Sequence, residues 1–155
     1  MAPSKIREFL DSKKIKYTSE KHSEVYTAQE IAASAHIPGR QLAKTVMIKI
    51  DGDMAMAVLP APYKVDFNSL KKATGAKKVT LASEDDFKDL FPDCEVGAMP
   101  PFGNLYGMNV YADESLTEEI EIAFCAGSHT ELIRLAYKDF AKLVEPKVLS
   151  FSLED

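Results

Sequence analysis

Tryptophan is missing from the 155 residues, cysteine occurs twice and glycine only seven times. No Gly-, Ser- or Pro-rich tract interrupts the chain, so neither an interdomain linker nor a low-complexity segment is indicated. Cys94 and Cys125 lack CxxC spacing, which excludes a zinc knuckle and a disulfide framework. Both are read as reduced core thiols. No apolar run approaches the roughly 20 residues needed to cross a bilayer. The start, "MAPSKIREFLDSKKIKY", carries charges every few residues, and a cytoplasmic protein without a membrane partner is expected. Excess positive charge is lacking too. A net charge of −5 argues against a general nucleic-acid binder, which gains most of its affinity from cations on phosphates, but it leaves room for a local basic patch.

Familiar catalytic signatures are equally scarce. The sequence has no GxSxG, P-loop, GxGxxG or HExxH, which removes the simplest hydrolase, kinase and oxidoreductase readings. His22, His36 and His129 lie far apart, and none has a spaced carboxylate or cysteine partner. No metal or cofactor is therefore expected.

What is present is 46% hydrophobic and 28% charged residues, enough for a single domain over 1–155 with a real core. Ser4 can cap a first helix with Ile6, Phe9 and Leu10 as its stripe, and a short strand follows near Ile15–Thr18. "TAQEIAASAHIPG" has Thr27 and Glu30 in capping-box spacing and a Pro38-Gly39 stop, predicting a helix. "RQLAKTVMIKIDGDMAMAVLP" reads as two strands around an Asp51-Gly52 turn. Alternation over Ala43–Ile50 puts Lys44 on the face of Val46, Ile48 and Ile50. "MAMAVL" is apolar on both faces and predicts a central strand, its methionines packing rather than forming a cofactor box.

Farther along, "DFNSLKKATGA" predicts a helix capped by Asp66 and stopped at Gly75, followed by the strand "KVTLA" and a short helix after Ser83. "PDCEVGAMPPFGNLYG" is the Gly/Pro-dense stretch and the loop best suited to function. A strand near Met108–Ala112 comes next. In "EIEIAFCAGSH", Ile120, Ile122 and Phe124 alternate with Glu121, Ala123 and Cys125, predicting a half-buried strand that ends at Gly127. "ELIRLA" is a further strand and "YKDFAKLV" a closing helix. About half a dozen strands in this order predict an α+β fold, a mixed β-sheet curved into a partial barrel and flanked by helices.

The residues alone leave roles open. Lys44 is either a functional cation or a side chain snorkelling from a strand end. Gly97 and Pro101 either build a site or shape a turn, and His129 either serves a site or caps a backbone group. Ser128, Thr45 and Cys125 have no adjacent base, so they are read as pocket lining or core, not as nucleophiles. The lysine pairs 13–14, 71–72 and 77–78 read as solvated faces, one or two of which could meet a nucleic acid.

The order "YTAQEIA", "LAKTVMIK", "MAVLPAPYKVDFNSLKKATGAKKVTLAS", "VGAMPPFG", "VYADESL", "AGSH" and "LAYKDFAKLV" resembles the YbaK/ProX family of aminoacyl-tRNA deacylases along nearly the whole chain. Related domains form the editing insertion of bacterial prolyl-tRNA synthetases. The resemblance implies a trans-editing hydrolase that cleaves the ester of a mischarged aminoacyl-tRNA, releasing amino acid and tRNA. A non-catalytic module binding an aminoacyl-adenosine-like ligand or a synthetase is the alternative.

By the same resemblance, Lys44 matches the family's lysine, and Gly97 and Pro101, with Ala98 and Met99 between them, match its GxxxP loop. Gly127, Ser128 and His129 fall on a second glycine loop, and Thr45 follows the lysine where subfamilies vary. Lys44, Gly97 and Gly127 are thus implied as catalytic; Thr45, Ala98, Met99, Pro101, Ser128 and His129 as substrate-binding. The implied partners are the acceptor end of mischarged tRNA and an aminoacyl-tRNA synthetase. A monomer is expected, because no strongly apolar exposed helix argues for an obligate dimer. Such an ester is already activated, so a positioned water, donors for the oxyanion and a side-chain pocket suffice for hydrolysis. Backbone N–H groups around Gly97–Met99 or Gly127–Ser128 are candidate donors.

Overall fold

The computed structural model describes residues 5–21, 39–91, 98–127 and 131–154. Within them the chain forms helices α1 (Lys5–Ser12), α2 (Phe67–Thr74), α3 (Glu84–Phe87) and α4 (Tyr137–Val144). The strands are β1 (Tyr17–Lys21), β2 (Ala43–Ile50), β3 (Asp53–Pro60), β4 (Tyr63–Val65), β5 (Val79–Leu81), β6 (Asn109–Asp113), β7 (Glu121–Cys125), β8 (Glu131–Ala136), β9 (Lys147–Leu149) and β10 (Ser152–Glu154). The expected helix over 27–39 falls, up to residue 38 and with its cap, outside the described residues, as does the Ser4 cap; Gly39, its expected stop, begins a short 3-10 turn, Gly39–Gln41.

The β2–β3 hairpin sets the register of the rest. Asp51 (φ 50°) and Gly52 (φ 89°) are both left-handed, the backbone pair that matches strand twist in a two-residue turn. Pairing then runs without a slip from Ile50↔Asp53 to Ala43↔Pro60. Five strands assemble around this hairpin in the order β5-β2-β3-β6-β9, with β3, β6 and β9 parallel and β5 antiparallel to β2. A second, antiparallel sheet has the order β1-β8-β7, and β10 pairs with β4. A parallel bridge between Leu42 and Ala123 joins the larger sheets where β2 begins. The result is the curved mixed sheet expected from the sequence, without closure into a barrel.

Both faces of the central hairpin are covered. Ala43, Met47, Met56 and Val58 face the larger core with Ile6, Leu10, Phe102, Ile122, Phe124, Ile133 and Phe140. Ile48, Ala55, Ala57 and Leu59 face a second core with Leu70, Tyr111 and Phe151. "MAMAVL" is apolar throughout because methionines serve one core and alanines the other. Helix α2 is held as predicted: the Asp66 carboxylate accepts from the Asn68 and Ser69 N–H groups, and Gly75 (φ 72°) ends the helix in left-handed conformation.

Several expectations are corrected. Among the described residues ten strands replace about half a dozen, because β4, β9 and β10 have three residues each, too few for alternation to show. The helix "YKDFAKLV" does not close the fold. After it, β9 joins β6 and β10 joins β4, tied down by the buried Asp113, whose carboxylate accepts from the Phe151 N–H at 3.0 Å and the Ser152 hydroxyl at 2.9 Å. Finally, Ile120 is 87% exposed instead of facing inward. The strand begins one residue later, and the Ile120 carbonyl accepts the Tyr137 N–H at 2.9 Å. Ala123, expected outside, is buried because the bridge to Leu42 covers it. Cys125 is half-buried rather than fully in the core.

Asp86 fastens α3 to the sheet. Its carboxylate accepts from Lys49 Nζ on β2 at 2.9 Å and from the Ser83 N–H and hydroxyl, both at 2.8 Å. These bonds, the Lys49 one first, lower its pKa from 3.8 to about 2. Because the folded value lies below the unfolded one, the contribution to stability is full above about pH 4 and disappears as pH falls through about 2. In a carboxyl NMR titration Asp86 should be among the last to protonate, and Lys49→Met should move its midpoint up toward the ordinary range.

Candidate active site

The loop entering β6 is seated by one ring. Phe102, fully buried, follows the buried prolines 100 and 101 and packs 5.3 Å from Phe124 on β7, 5.6 Å from Phe140 on α4 and 6.1 Å from Phe9 on α1, centroid to centroid. The Pro100 carbonyl accepts the Phe102 N–H at 2.8 Å, so the two prolines and the ring form one tight turn. Met99 is carried into the same core, and Ala98 is fully buried beside it.

A backbone bond latches this loop to the one after β7. The Gly127 N–H donates to the Ala98 carbonyl at 2.8 Å, and the Ala126 N–H to the Glu131 carbonyl at 3.1 Å. Gly127 has φ 93°, a conformation that L side chains rarely adopt. Its amide is committed to Ala98, which narrows Gly127 from candidate oxyanion donor to a residue that shapes the loop. On the far side, Arg7 of α1 donates to the buried Glu131 carboxylate, the first side chain of β8, and to the Ser19 hydroxyl at 2.9 Å. That ion pair anchors the returning arm of the loop.

Lys44 is the second residue of β2, two positions beyond the Leu42–Ala123 bridge. Since β2 and β7 run parallel there, Lys44 and Gly127 both lie downstream of the same bridge on neighbouring segments. Lys44 pairs across the hairpin with Leu59 and lies half-buried on the face of the second core, as alternation predicts. Thr45 pairs with Val58 and faces the larger core. The two consecutive candidates therefore occupy opposite faces of β2. Ala98, Met99, Pro101 and Gly127 are gathered by the latch and the Phe102 turn, whereas Gly97, Ser128 and His129 fall outside the described residues. Sequence reasoning missed Phe102, Arg7 and Glu131 as positioning residues. An aromatic directly after a double proline was a usable signal for the first; the other two are 124 residues apart and carry no local mark. No cluster of three or more His, Cys, Asp or Glu side chains suited to a metal occurs among the described residues, and no described helix is long and apolar enough to cross a membrane.

The fold has close counterparts. It superposes on the crystal structure of a candidate trans-editing enzyme for prolyl tRNA synthetase with a TM-score of 0.84, covering 99% of both chains at 19% identity, a likeness that shows the architecture. Residues 22–143 match the model of the aminoacyl-tRNA editing domain. The chain belongs to that family. It is 30% identical over 116 residues to the multifunctional Ser/Thr-tRNA deacylase ProXp-y of Escherichia coli, covering 72% of this chain and 69% of that protein. It is 26% identical over 103 residues to proline–tRNA ligase of Bacillus mycoides, covering 66% of this chain but only 18% of the ligase.

If the Phe102 turn seats the latch, loosening the ring should release the latch before the fold. Phe102→Ala should cost about 3–5 kcal/mol of stability, read from urea denaturation. The milder Phe102→Leu should accelerate hydrogen exchange at the Gly127 amide, whereas Phe67→Leu in the second core should leave that amide protected.

Proposed function

We propose that this chain is a trans-editing aminoacyl-tRNA deacylase acting in the cytoplasm. The observation that carries the reading is the editing-domain match over 22–143, which spans Lys44, both loops and every strand between them. ProXp-y, a Ser/Thr-tRNA deacylase matched over 72% of the chain, makes seryl and threonyl esters the first substrates to try. The ligase match supports a synthetase as a second partner.

In the proposed reaction a water adds to the ester carbonyl carbon, the bond from that carbon to the terminal ribose oxygen breaks, and the water's proton ends on that oxygen. Free amino acid and tRNA leave. Hydrolysis of this ester needs no protein nucleophile, and the two glycine loops have the character of walls that orient it. Gly127 acts as a positioning residue through its bond to Ala98, and the buried Ala98, Met99 and Pro101 serve the substrate-binding set by fixing the backbone of the wall from its core side. Thr45, with Ser128 and His129, completes the substrate-binding set, and Gly97 is assigned to the first loop's approach to the ester. Lys44 supplies the cation, meeting either the terminal phosphate or the charge developing on the carbonyl oxygen.

A panel of mischarged tRNAs, seryl- and threonyl-tRNA first, tests the activity and its amino-acid choice together. Lys44→Ala should slow deacylation at least tenfold with the fold intact, because a half-buried strand-end lysine contributes little burial that alanine loses. Lys44→Arg separates the roles: retained activity points to charge, and loss points to position or proton transfer, since arginine is a planar fork of different reach. Wild-type turnover in folded Lys44→Ala would remove Lys44 from the chemistry. A wild-type protein that binds tRNA yet deacylates no member of the panel would instead be a binding module.

A further inference from the structure

The protein is acidic, yet "KKATGAKK", residues 71–78, holds four lysines and no acid. Lys71 and Lys72 lie in the last turn of α2, and Lys77 and Lys78 precede β5. All four are exposed, and none forms a salt bridge with a carboxylate of the described residues. A shallow depression of about 440 Å³ lies between Asn68, Lys71, Lys72, Gly75 and Ala76. The backbone beneath is fixed rather than loose: Asp51 Oδ1 accepts the Lys77 and Lys78 N–H groups at 3.0 and 2.8 Å, and the Asp51 N–H donates to the Lys78 carbonyl at 2.8 Å. A helix end favours cations, which accounts for Lys71 and Lys72; it does not account for Lys77 and Lys78, which lie beyond the helix.

The place of this patch relative to Lys44 gives it a partner. Helix α2 packs through Leu70 on the second core, the face that carries Lys44, and the patch sits against the hairpin turn at the other end of β2. Six residues separate Lys44 from Ile50, about 20 Å at some 3.4 Å per residue. A nucleic-acid strand carries a phosphate at every nucleotide, so a terminal ester held at Lys44 leaves backbone phosphates of the same strand to run toward the hairpin-turn end of β2, where the patch sits.

We infer that Lys71, Lys72, Lys77 and Lys78 form a docking surface for the phosphate backbone of the tRNA acceptor stem. The inference rests on the deacylase reading for its occupant. Compact, solvated ammonium groups suit phosphates rather than base edges, so the surface contributes affinity and register, not amino-acid choice.

The experiment compares Lys71→Gln/Lys72→Gln/Lys77→Gln/Lys78→Gln with a control, Lys138→Gln/Lys142→Gln on α4. Three probes are used: seryl-tRNA, seryl-adenosine, which has the ester but no stem, and an uncharged acceptor-stem minihelix followed by fluorescence anisotropy. The quadruple variant should raise KM for seryl-tRNA and Kd for the minihelix about tenfold or more. It should flatten the log–log salt dependence by about 3, at roughly 0.7–0.9 per phosphate contact. Turnover of seryl-adenosine should not change, and the control should behave as wild type. Unchanged minihelix affinity and salt slope would overturn the inference, as would an equal loss in the control. A wild-type protein that binds the minihelix through these lysines but hydrolyses neither ester would refute the deacylase reading and leave the docking surface standing.

Discussion

The burial of Phe102 is the contact on which the candidate site depends. Its ring joins α1, β7 and α4 through Phe9, Phe124 and Phe140, and full burial of such a side chain stabilises by about 2–3 kcal/mol. Without it the loop at 98–101 would have no fixed point, since prolines constrain their own dihedrals but donate no backbone hydrogen bond. With it, the Ala98 carbonyl is presented to the Gly127 amide. The two loops thereby behave as one wall, and Arg7–Glu131 holds the other side of the second loop against α1 and β1.

Charge is distributed with a similar economy. The bonds to Lys49 and Ser83 hold the Asp86 carboxylate ionised far into acid, and the Asp66 carboxylate is lowered by the Ser69 hydroxyl and N–H groups at the start of α2. Acids are thus placed at helix starts and strand edges, where they organise backbone. The lysines of 71–78 are left to solvent on the face that carries Lys44. An overall negative charge and a local positive surface are compatible because screening limits each to a Debye length of about 8–10 Å.

Much of this was legible in the sequence, and for identifiable reasons. The hairpin, its turn and the face of Lys44 follow from a strict two-residue period bounded by Asp-Gly, and α2 from its Asp66 cap and Gly75 stop. What did not show were features set by distant partners. β4, β9 and β10 exist because β10 finds β4 and β9 finds β6, with Asp113 holding the return, and no three-residue run announces that. Ile120 misled because its alternation continues one residue past the point where pairing with β8 ends at Glu121↔Ala136. The Gly97–Pro101 loop stood out as a glycine- and proline-bearing interruption, and Gly127–His129 came only with the family resemblance; their union through Ala98 required the fold. So did the opposite orientation of Thr45, whose neighbour in sequence is not its neighbour in space.

That last orientation ties the proposed site to a hairpin turn at the far end of the strand. Side chains alternate strictly along β2, so adding or deleting one residue between Ile50 and Asp53 would shift the strand by one position and exchange the faces of Lys44 and Thr45. Substitution within the turn would be forgiven wherever left-handed backbone is tolerated; a change in its length would not. Drift among descendants of this chain should therefore vary position 52 more freely than Asp51, whose carboxylate also holds the Lys77 and Lys78 amides, while preserving the number of turn residues.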